Sequence, residues 1–230
     1  MQTLRTLLYF LLAAALASCS SPEERRLKWN LRTTVRQYEK LGRHNPQWDA
    51  PAKDALTLYS RWRSDPFHQN DELAQQIGRG CQEAVAAGCS DPLVLYVHAR
   101  FVLNQSGHAE TEIAAAHRQI AGALKASHYS SMRKFYGFLR AGEQLYQLNP
   151  IPKLDVTELM NDAAAQLTIA LKENDAPYAE LYQAARAFMQ AFHLMQINRD
   201  WGWAGLQPVL KKKWGTNYAA ELSSGEVVVD

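Results

Sequence analysis

The sequence lacks an apolar run long enough to cross a membrane. Its longest run, Leu7 to Ala17, has 11 residues, whereas a transmembrane helix needs about 20. The chain also lacks an excess of charge, since 25 basic and 23 acidic residues leave a net charge of +2. This balance gives no argument for a nucleic-acid partner. The dense basic run Lys211-Lys212-Lys213 is typical of a solvated helix face.

Catalytic signatures are scarce as well. The sequence contains no HExxH pair and no GxSxG elbow, and Gly78-Arg79-Gly80 lacks the strand and helix that flank a phosphate-binding loop. Among the seven histidines, His108 lies four residues before Glu112, but two ligands do not make a metal site. We therefore predict a protein that is not an enzyme and that holds no cofactor and no metal.

The N-terminus carries the clearest motif. One positive charge on Arg5 precedes the apolar run, and the run closes in Leu16-Ala17-Ser18-Cys19. This arrangement is that of a secretory signal peptide, and its last four residues resemble the lipobox of bacterial lipoproteins. The resemblance implies that the chain is cut before Cys19 and lipidated on Cys19. An ordinary cleaved signal peptide with a chance cysteine is the alternative.

The lipobox resemblance implies a location and a division of the chain. It implies a lipid-anchored protein of the outer membrane that faces the periplasm, because Ser20 rather than Asp follows the cysteine; the inner membrane and the cell surface are the alternatives. The predicted units are a signal peptide over 1–18, a helical domain over 19–222 and a flexible tail over 223–230. Composition supports the second unit, since 47% hydrophobic and 21% charged residues are typical of a globular domain.

Cys81 and Cys89 remain as a pair once Cys19 is lipidated. An even number of cysteines in an oxidising compartment favours a disulfide between them. The chain would have to fold back along the helix that carries Cys81, so that the two Cα atoms come within about 7 Å. The alternative is two small buried residues on adjacent elements.

Apolar residues at helical spacing run through the body, and no succession of strands appears. Ser21-Pro22-Glu23-Glu24 forms a capping box that opens a helix expected to reach Leu41, with Gly42 as its stop. Eight further helices are predicted: from 49 to beyond Trp62, from Asn70, from Pro92, over 109–126, over 130–148, from 155, from Pro177, and over 203–214. We therefore predict an all-α fold.

Three similar helix-turn segments surround Ala87, Leu124 and Leu171, at offsets of 37 and 47 residues. The segment from Ala164 to Met189 is similar to a tetratricopeptide unit, whose period is about 34 residues. Short links between successive helices favour antiparallel hairpins that stack on one another. The sequence thus predicts an irregular tetratricopeptide-like array, with an irregular helical bundle as the alternative.

All six tryptophans avoid residues 63–200; they are Trp29, Trp48, Trp62, Trp201, Trp203 and Trp214. Large aromatic side chains usually pack, so we expect them to close the two ends of the array. An aromatic docking surface is the alternative.

These features predict a membrane-anchored, non-catalytic helical scaffold that binds protein or peptide partners in the bacterial cell envelope. Two alternatives stay open at this point. One is a periplasmic inhibitor or immunity-type lipoprotein that neutralises a toxin, and the other is a helical cell-wall hydrolase, which would need two carboxylates flanking one cleft.

Overall fold

The computed structural model describes residues 21–65, 71–103, 107–195 and 201–224. Over these ranges the chain is helical and forms no strand, which confirms the all-α prediction. Residues 1–18, Cys19 and positions 225–230 of the predicted tail lie outside the described residues. None of the helices in the described part of the chain combines the length and the apolar character needed to cross a bilayer.

The helices follow one another through two halves of the chain. The first half contains α1 (Pro22–Thr33), α2 (Val35–Leu41), α3 (Asp49–Ser64), α4 (Asp71–Ala86) and α5 (Pro92–His98), which continues into a π-helical segment (Ala99–Leu103). The second half contains α6 (Glu110–Lys125), α7 (Ser131–Tyr146), α8 (Lys153–Glu173), α9 (Tyr178–Met195), α10 (Trp201–Trp214) and α11 (Tyr218–Ser224).

Local capping signals set several helix starts. Ser21 Oγ accepts a hydrogen bond from the Glu24 amide, and the Glu24 carboxylate accepts one from the Ser21 amide, so the predicted capping box of α1 is confirmed. Asp91 caps α5 through the Leu93 amide, and Ser130 caps α7 through the Arg133 amide. At each of these starts a side-chain oxygen accepts from a backbone N–H that has no partner within the helix.

The prediction of one continuous helix from Pro22 to Leu41 is wrong. The backbone breaks at Thr34, between α1 and α2. Just before the break, Thr33 Oγ1 donates to the Trp29 carbonyl, a side-chain bond of the kind that bends helices. The amide of Asn30 is buried and donates to Ser64 Oγ at 2.8 Å. The break lets α2 turn its Tyr38 side chain, 1% exposed, into the interior.

Two clusters of buried side chains form the interior. The N-terminal core is built from α2 to α5 and contains Tyr38, Leu56, Ile77, Cys81, Val94 and Phe101. The C-terminal core is built mainly from α6 to α11 and contains Phe135, Phe138, Leu145, Met160, Leu167, Phe188 and Trp203. Helix α5 joins them, because Val94 and Val97 lie in the first core and Leu95 and Ala99 in the second.

Successive helices pack against each other along the chain, above all α3 with α4 and α7 with α8. Helix α8 also packs on α10, where Gly202 lies against the backbone of Asn161. Helix α11 has no counterpart among the predicted helices. It ends at Ser224, the second residue of the predicted tail.

The π-helical segment is a second departure from the sequence prediction, which carried one regular helix from Pro92 through Phe101. A π-helical turn inserts an extra residue into a helix and is frequent at functional sites. Here the widened turn places Phe101 in the N-terminal core and Arg100 beside the Trp62 ring of α3. Both residues also line a groove that residues of both cores share.

Candidate binding groove

A groove of about 1800 Å³ runs along one side of the molecule. Its walls come from α1 and α2, the end of α3, α5 with the π-helical segment, α6, α7 and the start of α9. It therefore crosses from the N-terminal core to the C-terminal core. Pockets for small molecules usually measure about 300–1,000 Å³, so a groove of this size suits a longer ligand such as a peptide segment.

Aromatic rings form the floor of the groove near the end of α3. The Trp62 ring meets the Phe101 ring edge-on at a centroid distance of 5.1 Å, and Tyr59 meets Phe101 in the same way at 5.8 Å. Tyr96 and Tyr136 continue this lining toward α7. Such rings offer apolar area at a small entropic cost, because each has only two side-chain torsions.

Three arginines, Arg63, Arg100 and Arg133, lie among these rings; we call them the arginine cluster. The Arg100 guanidinium lies 4.9 Å from the centre of the Trp62 ring, and the Arg63 guanidinium lies 5.7 Å from the centre of the Tyr59 ring. Within the described ranges, none of the three forms an ion pair with a carboxylate. The cluster thus holds positive charge that no carboxylate of the described ranges pairs with, and two of its members, Arg63 and Arg100, lie over aromatic rings.

The pKa of Arg133 is affected by its position in the groove. Burial in the groove, and next the like charge of Arg63, lower the pKa of Arg133 below its ordinary value. Guanidinium groups stay protonated in proteins, so Arg133 keeps its charge although burial and the like charge of Arg63 both disfavour it.

The acidic residues of the groove are Glu39, Glu143, Asp175 and Glu180. Glu39 pairs with Lys53, and Glu143 pairs with Arg140 at 2.6 Å. Asp175 and Glu180 lie together where α9 begins, and burial followed by the charge of Asp175 raises the pKa of Glu180. Negative charge is therefore paired along the groove and collects at its α9 end.

The sequence-predicted site residues lie elsewhere. Cys19, the predicted lipidation site, lies outside the described residues. Cys81 and Cys89 are both buried in the N-terminal core, away from the groove, and both are free thiols in the structure. The disulfide between them stays a prediction. Burial raises the pKa of Cys81 to about 12 and that of Cys89 to about 11, so neither thiol is activated.

His108 and His117 have structural partners. His117 is fully buried, with Nδ1 2.7 Å from the Ile113 carbonyl and Nε2 2.6 Å from Gln144 Oε1. His108 lies just before the N-cap of α6, outside the helix, and forms an exposed pair with Glu112 at 2.8 Å. In the part of the chain that the structure describes, no three His, Cys, Asp or Glu residues are grouped to hold a metal ion.

The tryptophans divide between the two roles considered from sequence. Trp203 and Trp214 are buried in the C-terminal core, as end-packing requires. Trp29 and Trp62 line the groove, and Trp29 is 50% exposed. Trp48 packs against the N-terminal core, and the side chain of Trp201 lies outside the description.

Sequence reasoning missed the arginine cluster. Its three members lie more than 30 residues apart in the chain, on α3, the π-helical segment and α7. The available signal was the adjacency of arginine and aromatic residues in Trp62-Arg63 and Arg100-Phe101. Such pairs are common on helices, and only the packing of these helices brings the two pairs into one groove.

No protein-family model, no curated protein and no solved structure matches this chain. The groove and the N-terminal motif are therefore the two features that point to a function.

Proposed function

We propose that the protein is a lipid-anchored, non-catalytic scaffold of the bacterial cell envelope whose groove binds an extended segment of a partner protein. The observation that carries the proposal is the groove itself. Its volume is about 1800 Å³, residues of both cores line it, and its aromatic residues lie beside guanidinium donors. Trp, Tyr and Arg are the residue types that contribute most binding energy at protein interfaces.

The short spacer after Cys19 supports the anchored arrangement. Helix α1 begins at Pro22, three residues after the predicted lipidation site. The same helix carries Trp29 and Arg32, which line the groove. An acyl chain on Cys19 would hold this wall of the groove close to the bilayer, so a partner would be captured at the membrane surface.

Peptide selection tests the groove. A displayed library of random 12-residue peptides is selected on the full chain in nonionic detergent, and the retained peptides are measured on variants. We expect Trp62→Ala to weaken their binding about tenfold or more, as for a central aromatic contact. Leu194→Ala, which removes an exposed apolar side chain outside the groove, is the matched control.

Two results would contradict the groove proposal. One is a selection that retains no peptide at all. The other is a set of peptides that bind Trp62→Ala as tightly as the unchanged protein. Circular dichroism spectra of both variants establish that each is folded before its binding is interpreted.

The anchor is tested separately by the mass of the mature N-terminal peptide. We expect a peptide that starts at Cys19 and carries acyl chains, each of which adds about 0.8 kcal/mol of membrane affinity per buried methylene. Cys19→Ala should be released from the membrane fraction. If it remains bound to membranes, the protein is held there by something other than the lipid.

A second candidate, a hydrolase of envelope polymers, is favoured by one observation. Asp175 and Glu180 both line the groove near α9, and burial raises the pKa of Glu180, as a general acid requires. The test is release of soluble fragments from purified cell walls by the unchanged protein. Release that disappears in Glu180→Gln would establish this function in place of the scaffold.

A further inference from the structure

The groove carries an excess of positive charge. Seven basic residues and four acidic ones line it, although the whole chain has 25 and 23. The basic residues are Arg32, Arg36, Lys40, Arg63, Arg100, Arg133 and Arg140. Since Glu39 and Glu143 are already paired with Lys53 and Arg140, the positive excess in the groove falls mainly on the arginine cluster and the α1–α2 wall.

The geometry of the arginine cluster suits carboxylates. A guanidinium stacked on an aromatic ring keeps its N–H donors in the plane of the group, where they are free to meet a ligand edge-on. A carboxylate is planar and accepts two such bonds side by side, which makes the pair stronger than a bond between neutral groups. The Arg100 guanidinium lies over the Trp62 ring and the Arg63 guanidinium lies over the Tyr59 ring.

We infer that the segment bound by this groove is an acidic peptide whose Asp or Glu side chains contact Arg63, Arg100 and Arg133 while its apolar side chains lie on Trp62 and Tyr96. This inference rests on the proposed function and names the chemistry of the partner.

The distribution of acidic residues favours a peptide over a uniform polyanion. Asp175 and Glu180 stand at the α9 end of the same groove, where they would repel a ligand with a charge at every unit, such as a nucleic acid. A peptide places carboxylates only where they are matched. Its residue near α9 is expected to be neutral or basic.

The same peptide selection tests this inference with a different readout, the composition of the retained peptides. We expect Asp and Glu to be enriched in peptides retained by the unchanged protein and not in those retained by the variant with Arg63→Gln, Arg100→Gln and Arg133→Gln together. If the retained peptides depend on Trp62 but show no acidic enrichment, the inference is wrong and the proposed function stands. If no peptide depends on Trp62, the proposed function fails.

Affinities then test each arginine. One enriched peptide is labelled with a fluorophore and titrated with each protein variant, and its amide analogue, with Asn and Gln in place of Asp and Glu, is the matched probe. We expect Arg63→Gln to weaken the acidic peptide about tenfold or more, as for a charge-assisted bond, and to leave the analogue unchanged. Added salt should weaken the acidic peptide, because exposed charges are screened.

Arg118→Gln is the control for a simple change in net charge. Arg118 pairs with Asp155 at 2.7 Å and does not line the groove, so binding of the acidic peptide should stay the same. Arg63 is exposed, so its variant is expected to fold normally. Equal weakening by Arg118→Gln and Arg63→Gln would overturn the inference, as would displacement of the acidic peptide by a single-stranded oligonucleotide at a lower concentration than by unlabelled peptide.

Discussion

The bond between Tyr129 and Asp91 ties the two halves of the molecule together, and its removal is a sharp test of the fold. Asp91 is 1% exposed and begins α5, while Tyr129 precedes α7. The Tyr129 hydroxyl donates to the Asp91 carboxylate, at 3.0 Å from Oδ2 and 3.2 Å from Oδ1. Backbone amides, including those of Leu93 and Arg43, also donate to this carboxylate.

Tyr129→Phe removes this donor and changes little else. A hydrogen bond to a charged group contributes about 1.5–3 kcal/mol, and a buried carboxylate that loses one keeps its desolvation cost. We expect the free energy of unfolding to fall by about 1.5–3 kcal/mol, which for a chain of this size lowers Tm by roughly 3–12 °C. Urea unfolding followed by circular dichroism measures the loss.

The stability lost in Tyr129→Phe should depend on pH in a definite direction. Burial raises the pKa of Asp91 above its unfolded value, and the bond from Tyr129 acts in the opposite direction. The raised pKa means that Asp91 favours the folded state most at acidic pH and loses that contribution as pH rises from about 4 through the folded pKa. Tyr129→Phe raises the pKa of Asp91 further, so its deficit should be largest near neutral pH and smaller in acid.

Tyr146→Phe is the matched control. The Tyr146 hydroxyl donates to the Leu194 carbonyl at 3.3 Å at an exposed position, where water replaces the lost partner. Its loss should be under about 1 kcal/mol and independent of Asp91. Equal free energies of unfolding for the two phenylalanine variants would contradict this role of the Tyr129–Asp91 bond. A loss in Tyr129→Phe that does not change with pH would contradict it as well.

Two further predictions concern packing and the thiols. A Cβ at Gly202 would lie 2.9 Å from the Asn161 carbonyl oxygen, whereas a Cβ at Gly205 on the same helix would meet nothing within 4 Å. Gly202→Ala should therefore lower the free energy of unfolding by about 1–3 kcal/mol. Gly205→Ala should leave the free energy of unfolding unchanged or raise it by about 0.5–1 kcal/mol. Equal effects of the two substitutions in urea unfolding would contradict the close packing of α8 and α10. Cys81 and Cys89 should resist alkylation in the folded protein, because both are buried and their pKa values are raised to about 12 and 11; rapid native labelling would contradict this. After unfolding without reductant, alkylation of both Cys81 and Cys89 would identify free thiols, and alkylation of neither would identify the predicted disulfide.

Local signals in the sequence were sufficient for much of the fold. The capping box at Ser21 and the Asp91-Pro92 start of α5 depend on adjacent residues, and both are confirmed. Helical spacing indicates the inward faces in the same way, since Ile77 and Cys81 recur four residues apart and are both fully buried. A helix cap and a helix face depend on neighbours within about four residues, which a sequence displays directly.

The errors arise where distant contacts override local preference. Periodicity favoured one helix through Thr34, but the bond between Asn30 and Ser64 and the burial of Tyr38 require a break there. The π-helical segment was missed for a similar reason, because the residues around Arg100 and Phe101 are compatible with an ordinary α-helix. In both places the deciding partners lie on another helix.

By itself the sequence determined the all-α class, most helix starts and the N-terminal motif that makes Cys19 the predicted anchor. Tertiary structure alone decided the candidate site. Arg63, Arg100 and Arg133 lie on separate elements, and no spacing rule connects them. They meet because α3, α5 and α7 pack around two joined cores. Packing of distant helices, unlike a cap or a helix face, depends on the shape of the whole chain.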